Sequence, residues 1–314
     1  MGYTVSSLTA YVDQTSRELL TALQFEAETS NYANILSGVK SSVALQLLAT
    51  SPFPQDGSTC GFNASGDAAF TQRTLSTSPV KYQDSFCPRA LEAKWTQMLL
   101  KKGSMYTESD LAKDILDDVI AQIKRRNETM DWQGDTTGGD GYRNKYDGLI
   151  KIINSASPVV ATASTYNSTN ARTIVKNIIT KIPAALKGNP KVKIFMGYDA
   201  AEIYRQALMD ANLYHVATGT GSQQGLMAEG SVHEIIPVHG LDDMYLVTGN
   251  SNRPCIFALD PDRNLFLGCD MEGEEDQAKV WIDGSDGETI KYSFRFRRGW
   301  QVAYGSEIVQ YANS

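Results

Sequence analysis

The sequence predicts an α+β protein, and three stretches carry that prediction. After a capping signal at Thr107-Glu-Ser-Asp110, Leu111, Ile115, Leu116, Val119, Ile120 and Ile123 recur at helical spacing. Over 290–302, Ile290, Tyr292, Phe294 and Phe296 alternate with Lys291, Ser293, Arg295 and Arg297, placing apolar and polar groups on opposite faces of a strand. Between them in character lies 51–88, rich in Ser, Thr, Gly, Gln and Asn and broken by Pro52, Pro54, Pro79 and Pro88, with strand formers but no core of its own.

In chain order, Leu8, Tyr11, Val12, Leu19, Leu20 and Leu23 fall on a 3.6-residue period and predict an amphipathic helix whose stripe needs a cover. A second apolar run covers 43–48. Phe70, Thr74, Leu75, Thr77, Val80 and Tyr82 alternate in part, which predicts one long irregular hairpin over 70–86. An isolated hairpin is marginal in water, so its aromatics and sparse charge point to binding rather than to a flexible linker. In the capped helix, Asp110, Asp114, Asp117 and Asp118 sit early and Lys124, Arg125 and Arg126 late, as the helix macrodipole favours. A glycine-rich loop over 131–141 leads into 145–153. Helices over 171–186 and 200–211 flank a buried strand at 192–196, an α/β core. The remainder reads as strands at 234–238, 244–247, 255–259, 265–267, 279–282 and 290–302.

The chain has 314 residues, 42% hydrophobic and 21% charged, an ordinary globular composition. Only 14 of its 65 charged residues fall in the first hundred, which marks a compositional boundary there. A net charge of -7 has the wrong sign for binding driven by phosphate neutralisation. No run approaches the roughly 18 apolar residues that span a bilayer, and the amino-terminal stretch lacks the features of a secretory signal. A soluble, cytoplasmically made protein with no membrane partner is expected. Cys60, Cys87, Cys255 and Cys269 form no C-x-x-C pair and read as free thiols, although Cys60 and Cys87 fall near opposite ends of the proposed hairpin. The N-x-[ST] matches at Asn63, Asn127 and Asn167 read as chance.

Catalytic signatures are absent. Gly219-Thr-Gly-Ser-Gln-Gln-Gly225 fits neither a nucleophile elbow nor a dinucleotide loop, and reads as a surface loop. His233-Glu234-Ile-Ile-Pro237 has proline where a zincin helix needs its second histidine. His233 and His239 with Asp242 or Asp243 would make a metal site only if folding brought them together, and structural histidines are the favoured reading; His215 completes the set. Asp260-Pro-Asp-Arg-Asn264 opens like a calcium loop but has Leu265 and Met271 where glycine and glutamate belong, and reads as a turn between strands. Asp270, Glu272, Glu274, Glu275 and Asp276 form an acidic cluster, read as a solvated loop in preference to a cation site or a contact for a basic partner surface. The aromatic and basic series over 292–300 reads as a core strand in preference to a nucleic-acid stacking platform. No enzyme activity, cofactor or metal is expected.

The order of parts is more telling than any motif: an amino-terminal arm, a coreless hairpin, a capped long helix, an α/β region and a long closing strand. With Ser78-Pro-Val-Lys-Tyr-Gln-Asp-Ser-Phe-Cys-Pro88, Ala90-Leu-Glu-Ala-Lys-Trp95, Glu128-Thr-Met-Asp-Trp-Gln-Gly-Asp135, Tyr146-Asp-Gly-Leu-Ile-Lys151 and Ile290-Lys-Tyr-Ser-Phe-Arg-Phe-Arg-Arg-Gly-Trp-Gln-Val-Ala-Tyr304, it resembles the major capsid proteins of tailed double-stranded DNA phages, which have the Hong Kong 97 capsid fold, and most of all those of crAss-like phages. The resemblance implies an amino-terminal arm over 1–50, an E-loop over 51–100, a peripheral domain over 101–149 and 271–299 with a spine helix over 107–127, and an axial domain over 150–270 and 300–314. It implies self-assembly into pentamers and hexamers of an icosahedral head, built in the bacterial cytoplasm and enclosing DNA by weak proximity, with portal, decoration or scaffolding proteins as partners. Phe70, Leu75, Lys81, Tyr82 and Phe86 of the E-loop and Tyr11 and Leu19 of the arm are the expected intersubunit contacts. An encapsulin-like compartment and a minor capsid or connector protein are the alternatives of the same kind; a metal-dependent enzyme is the remote one.

Overall fold

The structure is a computed structural model and describes residues 27–58, 60–62, 65–87, 108–138, 141–162, 165–213, 226–242, 255–270, 278–282 and 289–311. The helix expected over the first 23 residues, Tyr11, Leu19, Thr107, His215, Asp243, the strand at 244–247, the loop at 219–225 and the acidic residues Glu272, Glu274, Glu275 and Asp276 lie outside them.

Two sheets meet back to back. The first is built around β12 (Ile290–Val302), whose alternation gives it two usable edges and two distinct faces. Along one edge runs β4 (Ser78–Phe86), antiparallel, from Ile290↔Phe86 to Arg298↔Ser78. Along the other lie β11 (Ala278–Ile282) and β10 (Leu265–Cys269) in tandem, and β1 (Asn34–Leu36) pairs with β10 in parallel. The second sheet has the order β5-β13-β9-β6-β8-β7, formed by β5 (Val159–Val160), β13 (Val309–Tyr311), β9 (Ile256–Leu259), β6 (Lys193–Met196), β8 (Glu234–Pro237) and β7 (Leu226–Met227). A two-stranded hairpin, β2 (Ser42–Pro52) with β3 (Gly66–Ser76), stands apart from both sheets.

Period-2 side-chain direction explains why the second sheet is apolar on both faces. Ile194, Met196, Ile256, Ala258 and Ile235 point into one core, closed by α3 (Ala171–Lys181) and α4 (Tyr198–Asp210). Phe195, Phe257, Leu259 and Ile236 point into the other, shared with Leu267, Phe296 and Trp300 of the first sheet and covered by α2 (Leu149–Ser155) and the end of α1 (Glu108–Gln133). The helix expected over 171–186 stops at Lys181, because Pro183 forces Ile182 into an extended conformation; a single 3-10 turn, Ala184–Leu186, follows. Asp260 to Asn264 is, as expected, a turn between strands: a one-turn helix, α5 (Pro261–Asn264).

The long helix corrects two expectations. It runs on past residue 127 to Gln133, so Lys124, Arg125 and Arg126 sit inside it and its last turn carries no basic residue. The extension persists because Met130 and Trp132 are fully buried in the shared core. It ends at Gly134, where a Cβ would come within 2.4 Å of the Tyr146 carbonyl. The single hairpin expected over 70–86 does not form either. Strand β3 pairs with β2, β4 pairs with β12, and only Thr77 separates the two ladders. Cys60 and Cys87 therefore belong to different elements and are free thiols.

Where helix and sheet meet, charge is buried. Arg298 lies on the apolar face of β12 with its side chain 1% exposed, and Asp131 of α1 faces it at 0%. Arg298 Nε donates to Asp131 Oδ1 at 2.7 Å and Nη2 donates to Oδ2, a bidentate pair. Trp300 Nε1 and the Tyr146 hydroxyl donate to the same Oδ1 at 2.7 and 2.6 Å, and Arg298 Nη2 also reaches Ser30 Oγ at 2.7 Å. Burial opposes the guanidinium charge, but the adjoining carboxylate outweighs it and holds the Arg298 pKa above its ordinary value. Removing one partner of such a pair strands the other without solvent. Asp131→Asn is therefore expected to lower unfolding free energy by about 3–5 kcal/mol, measured by urea titration of the unassembled chain, and Asp131→Leu with Arg298→Met to recover part of that loss.

Candidate assembly surface

The hairpin is the exposed feature that the rest of the chain positions. Each strand has 11 residues, so it reaches about 37 Å. The ladder runs without a break from Ser42↔Ser76 to Pro52↔Gly66. One face at its base carries Val43, Leu45, Leu47 and Leu75, of which the last three are buried. Beyond that base its described side chains are largely exposed. Leu48 and Phe70 stand opposite each other, with Phe70 74% exposed, and the tip shows Phe53 at 65% and Phe62 at 98%.

The root lies in a slot from which side chains are missing. Gly268 of β10 and Gly299 of β12 are directly opposite each other in the ladder. A Cβ on Gly299 would stand 2.0 Å from the Ser76 carbonyl oxygen, and one on Gly268 would meet the Thr77 and Leu75 side chains at 2.9 and 3.0 Å. Thr77 then ties the root down: its N–H donates to the Ser41 carbonyl and its hydroxyl to the Val39 carbonyl, both at 2.8 Å. Gln301 Nε2 donates to the Thr74 carbonyl at 2.7 Å.

A second clamp holds the segment that precedes β1. Glu28 accepts from the His239 backbone N–H at 2.8 Å and lies 2.7 Å from His239 Nδ1. Thr29 donates its N–H to Glu128 Oε2 at 3.1 Å and its hydroxyl to Glu128 Oε1, and Trp132 Nε1 donates to Thr29 Oγ1 at 2.7 Å. Burial, followed by the nearby Asp131 charge, pushes the Glu128 carboxyl pKa up to about 7.

The expected contact residues separate into two groups. Phe70 and Lys81 are exposed, the first on the hairpin and the second on β4. Leu75 is 0% exposed, and Tyr82 is half-buried, stacks on Phe296 and donates its hydroxyl to Asn127 Oδ1 at 2.9 Å. Phe86 is half-buried at the end of β4, opposite Ile290. Phe53, Phe62 and Leu48 escaped the sequence reading, although Phe53 and Phe62 are the only aromatic residues between the two strands. His233 and His239 do not converge. His233 is buried with Nδ1 3.2 Å from the Val192 carbonyl, whereas His239 is exposed at the other end of β8. Among the described residues no group of three metal-ligating side chains exists, and no helix is long and apolar enough to cross a membrane.

Two outcomes follow from the slot and the clamp. Gly299→Ala, which must displace backbone, is expected to lower thermal stability clearly more than Gly268→Ala, which meets only side-chain ends; paired melting curves test the order. Between pH 4.5 and about 7 native Glu128 holds a proton that the unfolded chain has released, so stability falls as pH rises through that window and levels off above it. The loss is on the order of 3 kcal/mol, and Glu128→Gln, compared with the parent by denaturant midpoints at pH 5 and 8, should abolish it.

No family model and no curated protein matches the chain. Solved structures do. A chain of the satellite phage P4 procapsid, which includes the size determination (Sid) protein, superposes with a TM-score of 0.59 at 8% identity, covering 97% of this chain and 95% of that one. The capsid of Myoviridae phage XM1 gives 0.56 at 13% identity over 94% and 92%. The capsid of an empty GTA particle, computed with C5 symmetry, gives 0.52 at 14% identity over 91% and 90%. Across nearly its whole length, then, this chain has the mixed α+β fold of Hong Kong 97-type phage capsid proteins.

Proposed function

We infer that the chain is a structural shell subunit, the major capsid protein of a tailed phage head, working by self-assembly and without chemical turnover. One observation carries the reading: a rigidly rooted arm about 37 Å long presents Phe53, Phe62 and Phe70 to solvent on a body whose fold is that of capsid chains. Covering one such side chain fully contributes about 1.5–3 kcal/mol. A single hairpin contact is thus modest, and its repetition around closed five- and six-membered rings makes the assembly stable. In this assignment the hairpin over 42–76 is the E-loop, beginning within the stretch that the resemblance gave to the arm. Helix α1 with β4, β10, β11 and β12 forms the peripheral domain, and the six-stranded sheet with α2, α3 and α4 forms the axial domain.

The contents of the shell would be double-stranded DNA, held by enclosure, and the particle would be assembled in the bacterial cytoplasm with portal, scaffolding or decoration proteins as further partners. The finer likeness to crAss-like phages is supported by the sequence stretches quoted above. To test the shell reading, residues 48–70 are replaced by Asn-Gly, which closes the hairpin between the paired residues Leu47 and Thr71. The shortened chain should remain folded and soluble by circular dichroism and form no closed particles by negative-stain electron microscopy, whereas the parent forms hollow polyhedra. Normal polyhedra from the shortened chain would overturn the role given to the hairpin.

A further inference from the structure

Lys124, Arg125 and Arg126 are left without the role that the helix macrodipole offered them. Helix α1 continues to Gln133, so the triplet stands roughly two turns short of the negative end it was expected to meet. Lys124 is half-buried and has a partner, but Arg125 and Arg126 are exposed and make no ion pair with any described residue. The loop after the helix brings further cations alongside. Arg126 and Arg143 place their guanidinium carbons 5.8 and 5.9 Å from the centroid of the exposed Tyr142 ring, one cation–π contact each. Arg143 also makes no ion pair with a described residue, and the exposed Lys145 donates to the neutral Asn144 Oδ1 at 2.7 Å. The carboxylates of this loop, Asp135 and Asp147, are both engaged by Lys151 Nζ, at 2.6 and 2.7 Å. Asp117 and Asp118, exposed on the helix, lie roughly two turns further back. Backbone bonds fix the loop against the helix end: the Asp135 N–H donates to the Arg143 carbonyl at 2.9 Å and the Gly148 N–H to the Gly134 carbonyl at 2.8 Å.

Like charges held this close repel one another unless an anion lies among them. The two guanidinium carbons on the one ring are within about 12 Å of each other, a separation that neighbouring phosphates of a duplex or the two rims of a groove can meet. An arginine fork binds phosphate oxygens two at a time, and stacking on the ring removes freedom that binding would otherwise cost. A single carboxylate occupies one fork, whereas a run of phosphates occupies them all. We propose that Arg125, Arg126 and Arg143, held around Tyr142, form a contact for the phosphate backbone of double-stranded DNA. The proposal rests on the shell reading, to which it adds a contact beyond enclosure. With three phosphates met per copy and -7 on the whole chain, each contact is weak and salt-sensitive, and many copies together hold a duplex without reading its sequence. The site also has a side. Asn127, next to Arg126, accepts from the Tyr82 hydroxyl, so these arginines lie with α1 over the Arg298 face of the first sheet. The ladder registers put Lys81, Arg295 and Arg297 on the opposite face, where they supply a matched control.

The test measures binding of a short fluorescent duplex by the full chain below its assembly concentration, by anisotropy over a range of salt. The parent should bind duplexes of unrelated sequence alike, with log affinity falling against log salt at a slope of roughly -2.7. Arg125→Gln, Arg126→Gln and Arg143→Gln together should cost about tenfold or more at low salt and flatten the slope. Lys81→Gln, Arg295→Gln and Arg297→Gln together should change neither. Circular dichroism melts check that the variants fold, and Arg125→Gln with Arg126→Gln, two exposed changes on the helix, should show a smaller loss of the same kind if the triple variant melts early. No binding by the parent at low salt overturns the proposal, and so does an equal loss in the opposite-face variant, which would reduce the effect to general charge. Polyglutamate that competes as well as duplex at equal charge would assign the site to an acidic protein and overturn it too. Closed particles made beforehand should leave added duplex unbound; binding to them through the same three arginines would put the site outside the shell and refute a contact with enclosed DNA. Particle formation is read separately by negative-stain microscopy. A parent that binds duplex through these arginines but forms no polyhedra sinks the shell reading alone, and polyhedra without such binding sink the proposal alone.

Discussion

The buried pair between Asp131 and Arg298 is the constraint on which the other positions depend. A guanidinium on the apolar face of β12 cannot stay dry without a counter-charge, and among the described residues the end of α1 brings it. Satisfying it fixes how far the helix extends, how it crosses the sheet, and where Tyr146, Trp300 and Ser30 must stand to fill the remaining lone pairs and donors. The polar cluster therefore contributes specificity as much as strength: many packings would bury Phe296 and Met130, but few would also meet every demand of Asp131. Because Arg298 donates to Ser30, and the adjoining Thr29 is bound to Glu128 and Trp132 of the same helix, the same joint sets the position of the segment leading into β1.

Upon that joint the molecule sets two kinds of surface. The hairpin is rigid at its root, where the facing glycines let backbone pass over backbone, and bare along its length. The face of the first sheet opposite Arg298 is basic where the hairpin is apolar. Under the shell role proposed above, such a division is useful. Apolar contacts supply adhesion without much directional preference, while charged contacts reject misaligned partners and steer approach.

Much of this was legible in the sequence wherever one periodicity acted alone. Strand β12 spans 290–302 as its alternation indicates, and β6, β9 and α4 lie where their apolar runs place them. The hairpin was harder, because β3 and β4 are nearly continuous and both carry alternating strand formers. What distinguishes them is their partners, and pairing is a long-range property that local pattern does not encode. Leu75 and Phe70, both expected as intersubunit contacts, lie on one strand, and the passage of the root across Gly268 and Gly299 buries the first. Arg298 was legible in principle. It keeps the parity of Phe294 and Phe296 rather than that of Arg295 and Arg297, and a charge in an apolar register calls for a buried counter-ion.

Asp131 and Arg298 lie 167 residues apart. A chain emerging from the ribosome completes α1 long before β12 exists, so Asp131 must wait in water while every strand of the second sheet but β13 is translated. The slot that seats the hairpin is finished no earlier, since Gly299 follows Arg298 directly. Until then the arm has strands but no fixed bearing. The hairpin's exposed apolar face and its fixed bearing are thus joined only when the closing strand of the first sheet is in place.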